Sequence, residues 1–230
     1  MIKVTKLKKH LSKAGKGKSF YKWNEQMFVK HGNESRFKHA NPVIKYISNH
    51  RKSSILNLLS PKNTDKILDA GCGSGIILRE IKKGSVIGLD CSATALRQAR
   101  KNIQGKNTEL IIADVQKLPF KKNSFNKIIC SEVLEHLPDP VKVIDEIKRV
   151  SKKEAIVIFT IPNQPLLDKI AYIFRKLNVK KGELDLDMEW HIHKFNLKKF
   201  RQLIKNKFKI IKIKRSPFLF PLSYVIQCRN

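Results

Sequence analysis

Residues 67–75 read ILDAGCGSG, an aliphatic run that passes through Asp69 into glycines at alternate positions, Gly71, Gly73 and Gly75. A short apolar run ended by glycine reads as a buried strand, residues 66–70. Glycine lets the chain turn sharply there and lets another molecule press against the backbone. Residues 76–81 then predict a helix. The alternation repeats downstream. Residues 86–90 form a strand, and Ser92 N-caps a helix with Leu96, Ala99 and Ile103 on one face. Strands follow at 110–113, 125–131 and 155–161. Asp139 and Pro140 open a helix with Val141, Ile144, Ile147 and Val150 along one side. Five strands joined by helices predict a doubly wound α/β sheet, mostly parallel, with its ligand at the carboxyl ends of the strands.

The flanks read differently. Residues 1–19 are Lys-rich, with Gly15 and Gly17, the pattern of a basic arm. Residues 20–60 read as helical, Pro42 opening the longer helix, and the domain itself spans 61–230. Within it, residues 162–195 form a capping insertion. Asn196 N-caps a helix with Leu197, Phe200 and Ile204. Residues 208–213 and 222–227 predict an antiparallel hairpin at the sheet edge around RSPFLFP (residues 215–221). Tyr21 and Trp23 either close the other wall of the site or, the preferred reading, pack into the core.

A chain of 230 residues suits one domain with a cap, and 41% apolar residues sustain its core. No apolar run reaches the roughly 18–20 residues of a membrane helix. The basic N-terminus has no apolar signal segment, and the four cysteines lack metal-knuckle or redox spacing. The expected location is therefore cytoplasmic, with peripheral contact at a membrane. Lys and Arg number 48 against 19 Asp and Glu, a net charge of +29. The middle is nearly balanced, whereas residues 1–66 carry 16 basic and 3 acidic side chains, and residues 166–230 carry 16 and 5. Such flanks suit an anionic membrane or a nucleic acid. They equally suit a solvated Lys-rich surface, since Lys outnumbers Arg 38 to 10.

Asp90 falls nineteen residues after Gly71, at the end of the second strand, where a carboxylate can accept both ribose hydroxyls of a nucleoside. Asp114 ends the third strand. Taken as a set, these motifs resemble the class I S-adenosylmethionine-dependent methyltransferases. GCGSG (residues 71–75) matches that family's glycine turn. Asp90 in GLDCS matches its ribose-binding acid. Ala113, Asp114 and Val115, with Leu118, Pro119 and Phe120, match its adenine segment. EVLEHL (residues 132–137) matches the loop after strand four. The resemblance implies a Rossmann-like seven-stranded sheet ending in an antiparallel hairpin. It implies S-adenosylmethionine held by Asp69, Gly71, Cys72, Gly73, Gly75, Asp90, Cys91, Asp114, Val115 and Ser131. Asp69 suits the cationic methionine end, and main-chain N–H groups suit its carboxylate.

SRFKHANPVIKYI (residues 35–47), SEVLEHLPDP (131–140) and EWHIHKF (189–195) further resemble quinone-biosynthesis O-methyltransferases. In that branch an ExxEH segment is linked to a divalent ion. Glu132, Glu135 and His136 could hold Mg²⁺ or Mn²⁺ against the acceptor's oxygens. Alternatively His136 is a general base, with Glu135 as its catalytic neighbour, or only a packing element of the turn. Trp190, His191, His193 and Phe195 suggest a substrate lid, or an exposed and inert stretch. The expected activity is methyl transfer to an oxygen of a small or lipid-like acceptor. The alternative is an RNA methyltransferase or a basic nucleic-acid-binding protein.

Overall fold

In the computed structural model, which describes residues 18–31, 42–103, 108–176 and 191–230, every expected strand forms. They are β1 (Lys66–Ala70), β2 (Ser85–Asp90), β3 (Thr108–Ile112), β4 (Phe125–Ser131), β5 (Ser151–Pro162), β6 (Lys209–Ser216) and β7 (Ser223–Arg229). They make one seven-stranded sheet in the order β3-β2-β1-β4-β5-β7-β6. Its first five strands are parallel, and β7 runs antiparallel to both β5 and β6. The strand order reverses between β1 and β4, which opens a crevice at their carboxyl ends. The Rossmann-like architecture read from the sequence is therefore the observed one.

Side chains alternate across a strand, so neighbouring residues serve opposite faces. Leu68, Ile128 and Phe159 belong to one apolar layer, Ile67, Ile129 and Ile158 to the other. Helices α4 (Pro140–Val150) and α6 (Leu197–Ile204) cover the first layer with Val143, Ile144, Ile147, Phe200 and Ile204. Helices α2 (Pro42–Leu59) and α3 (Ala93–Asn102) cover the second with Ile55, Leu58, Leu59 and Leu96. The caps are those expected. Ser92 Oγ accepts from Ala95 N at 3.0 Å, Asn196 Oδ1 from Lys199 N at 2.9 Å, and Asp139 Oδ1 from Val141 N at 3.1 Å.

One buried ion pair ties α2 to the sheet. Lys127 Nζ lies 2.9 Å from Asp65 Oδ2 and donates 2.6 Å to Leu59 O at the end of the helix. Burial raises the Asp65 carboxyl, but hydrogen bonds from Lys127, the Lys62 N–H and Asn126 outweigh it and leave the group below its ordinary value.

The helix expected over 76–81 is shorter than read, a single 3₁₀ turn at Leu78–Glu80. Ile81 is extended, and Gly84 at φ +89° turns the chain directly into β2, leaving no length for a second turn. The capping insertion is described at its two ends, as α5 (Gln164–Lys176) and residues 191–195. Of the basic arm expected over 1–19, Lys18 and Ser19 instead begin a helix, and residues 1–17, with most of SRFKHANPVIKYI and residues 177–190 with Trp190, lie outside the described residues. Among the described residues no helix is long and apolar enough to cross a membrane.

Candidate active site

Each glycine of the turn after β1 has its own reason. Gly71, at φ +82°, would place a Cβ 2.5 Å from Val133, so it lets the β1 turn close against the β4 loop. Gly75, at φ +77°, would meet Ala99 at 3.0 Å, so it admits α3. Gly73, at φ +52°, would meet only Phe28, at 3.8 Å. Its outer side is thus a backbone cradle. Asp90 shapes that cradle. Its Oδ2 accepts from Gly73 N and its Oδ1 from Ser92 N, both at 2.9 Å. The two oxygens offer roughly four acceptor sites, which these donors and the Cys91 N–H do not all fill. Burial raises the Asp90 carboxyl, against the pull of these backbone donors.

Asp69 lies at the base of the crevice. It is 1% exposed, and neither carboxylate oxygen has a hydrogen-bond partner. Burial and then the Asp90 charge push it up to about 7. A buried carboxylate with nothing to answer it is costly, and a cationic ligand would answer it. At the ends of β2 and β3, Cys91 and Asp114 stand beside the cradle, with Val115 buried beneath. Burial drives the Cys72 thiol well above its ordinary range, and burial with the Asp90 charge drives Cys91 to about 12, so neither is a thiolate nucleophile. Ser131 Oγ pairs with Thr160 Oγ1 at 3.0 Å.

Helix α1 (Lys18–His31) closes this side, and Tyr21 takes the wall-closing role that the sequence offered as the alternative to core packing. Tyr21 Oη donates to Asp114 Oδ2 at 2.7 Å, and that carboxylate raises the Tyr21 hydroxyl to about 12. Asn24 Nδ2 lies 3.1 Å from Cys91 Sγ, and Glu25 Oε1 accepts from Thr94 N at 3.1 Å. Trp23 does pack against the core, as expected, beside the buried Phe20. The Tyr21–Asp114 contact spans 93 residues, and no local pattern signals it.

Beyond β4 the three expected metal ligands part company. Glu132 adopts φ +53°; its Oε2 pairs with Arg51 Nη1 at 3.0 Å and its Oε1 accepts from Thr160 Oγ1 at 2.8 Å. Glu135 is fully buried with both oxygens unpartnered. Burial, then the neighbouring Glu132, holds its carboxyl well above the usual range. In place of Glu132, His191 completes the group: one ligand atom from each of Glu135, His136 and His191 lies within 4.8 Å of the others. The backbone makes this meeting. Ile192 N and His193 N donate to Glu135 O at 2.7 and 3.0 Å, fastening the end of the insertion to the β4 loop. Gln164 Nε2 donates to Asp168 Oδ1 at 3.1 Å, which leaves Gln164 Oε1 to accept from His191 Nδ1–H at 3.0 Å. His191 Nε2 then carries the lone pair. Burial lowers His191 to about 4, so the ring is neutral. His193 instead reaches Pro138 O at 3.3 Å.

The family model described as "methyltransferase domain" matches residues 61–212, from before β1 into β6. The chain belongs to that family. The chain is 32% identical, over 58% of its length, to an uncharacterized protein of Methanocaldococcus jannaschii, and covers 59% of that protein. It is 30% identical, over 44% of its length, to a ubiquinone biosynthesis O-methyltransferase of Actinobacillus pleuropneumoniae, and covers 47% of that enzyme. The chain thus spans about half the length of these curated relatives. A solved SAM-dependent methyltransferase from Methanosarcina mazei superposes at a TM-score of 0.59 with 27% identity, over 77% of this chain and 96% of that one. The family implies S-adenosylmethionine, and the cradle fits it: an open Gly73, Asp90 with free lone pairs, and an unanswered Asp69.

Proposed function

We propose that this methyltransferase acts on an oxygen of a small or lipid-like acceptor, with a divalent ion at Glu135, His136 and His191. The observation that carries the reading is Glu135, a buried carboxylate with no hydrogen-bond partner beside two imidazoles at the carboxyl end of β4. Two nitrogens and one oxygen favour Mn²⁺ or a later transition ion over Mg²⁺, which prefers oxygen and retained water. The similarity to a ubiquinone biosynthesis O-methyltransferase, over part of both chains, supports the oxygen acceptor.

Bound S-adenosylmethionine supplies the electrophilic methyl, and a bound ion supplies a Lewis acid that acidifies an acceptor hydroxyl. The chain's own residues do the rest. Asp90 and the Gly73 backbone position the nucleoside, and Asp69 faces the cationic end. The stapled residues 191–193 narrow the approach to the transfer site and exclude water. Arg51 keeps Glu132 out of the cluster, and Gln164 orients His191.

The test is a screen for S-adenosylhomocysteine production over phenols, catechols, glycans, lipid extracts and RNA. On the true acceptor, EDTA should abolish turnover and Mn²⁺ restore it. Glu135→Gln and His191→Ala should lose at least about ten-fold in rate while still binding S-adenosylmethionine. Activity indifferent to EDTA and rising with pH near 6.5 would instead make His136 a base without a metal. RNA as the sole acceptor would favour the second reading, which the charge of +29 supports.

A further inference from the structure

Phe218, Leu219 and Phe220 are 71%, 81% and 70% exposed, the three most exposed large apolar side chains among the described residues. They stand together at the tip between β6 and β7. Scattered exposed apolar residues are ordinary, but three in a row on one turn are not. We infer that this tip is a wedge that docks the protein on an anionic lipid surface.

The tip is held, not merely left over. Below it Pro217 is buried, and His50 Nδ1 lies 3.0 Å from Ser216 Oγ. On the far side Asn163 donates from its backbone N to Leu222 O and from Nδ2 to Pro221 O, both at 2.8 Å. Both stems are therefore pinned to the body while the three side chains point to solvent. The approach is basic: β6 carries Lys212, Lys214 and Arg215 toward the tip, and no carboxylate occurs from Lys194 to Asn230. Apolar residues at the apex with cations behind them match an anionic bilayer, whose headgroups attract Lys and Arg while the acyl boundary takes Phe and Leu. An acidic protein partner would satisfy the lysines but would give the bare apex no comparable medium.

Its place in the fold adds a consequence. Ser216 and Ser223 pair beside Pro162, at the carboxyl end of β5, the end at which the glycine turn and Glu135 lie. A docked tip would turn the transfer site toward the membrane. That the acceptor is drawn from the bilayer rests on the acceptor reading above; docking does not.

The experiment is vesicle sedimentation of the full chain at about 0.15 M salt, with phosphatidylcholine vesicles and with vesicles containing phosphatidylglycerol. Binding is expected to the anionic vesicles. The variant Phe218→Ser/Leu219→Ser/Phe220→Ser should bind them at least about ten-fold more weakly. Its S-adenosylmethionine affinity, measured by calorimetry, should match the parent chain, which separates lost docking from lost folding or lost chemistry. Equal binding by the variant would overturn the wedge and leave adsorption through lysines alone. Self-association that the same variant abolishes, without vesicle binding, would overturn it too, making the tip a contact between copies.

Discussion

Asp69 and Glu135 are the two carboxylates among the described residues whose oxygens are buried without any hydrogen-bond partner, and they lie near the carboxyl ends of the neighbouring strands β1 and β4. Stability alone does not account for such residues, because a leucine there would be cheaper. Asp69 stands near 7 in the free protein, so below that pH a cationic ligand must first displace its proton. S-adenosylmethionine affinity should therefore fall as pH drops from 7.5 to 5.5, approaching about ten-fold per unit at the acid end. Asp69→Asn should bind more weakly and show a flat profile in calorimetry. A flat profile in the unaltered chain would remove Asp69 from the cationic end. Asp90→Ala should weaken binding by about ten-fold or more, since it removes the carboxylate proposed to hold the ribose hydroxyls and frees Gly73 N. Unchanged affinity would take Asp90 off the site.

At the scale of elements, the sequence was most informative where the signal is local. Ser92, Asn196 and Asp139 were readable as caps because each cap is a hydrogen bond across two or three residues. The glycine turn was readable because a strand before it and a carboxylate on the next strand constrain one another. What stayed hidden is contact over distance. Arg51 taking Glu132, the 191–193 backbone fastening to Glu135, and α1 reaching Asp114 each join segments that no periodicity links. The same holds for Lys127, which reads as a strand lysine and proves to be the buried partner of Asp65. Deleting one member of that pair strands the other charge, so Asp65→Ala should cost about 3 kcal/mol in urea unfolding at pH 7. Because the folded-state pKa of Asp65 is depressed, the stability it brings is present above the unfolded value near 4 and is lost as pH falls through the folded value. The gap between parent and variant should therefore narrow from pH 5 toward pH 3. A gap that stays constant would mean that packing, not charge, holds the site.

At the scale of the whole molecule, β6 is an open edge of the sheet, and its exposed Lys209, Lys212 and Arg215 discourage pairing with a second sheet. β3, paired only with β2, is the other edge of the sheet, and a further vulnerable place lies inside. β7 is made after every other strand, yet it lies between β5 and β6, matching β5 from Ile156↔Arg229 to Pro162↔Ser223. Until residues 223–229 emerge from the ribosome, β5 presents a bare edge of buried-type residues, Val157, Ile158, Phe159 and Ile161, and β6 has no neighbour at all. The growing chain thus passes through a stage in which its sheet is five strands wide with one sticky side. A pause in translation over residues 217–222 would prolong that stage, and the arrival of a single strand ends it.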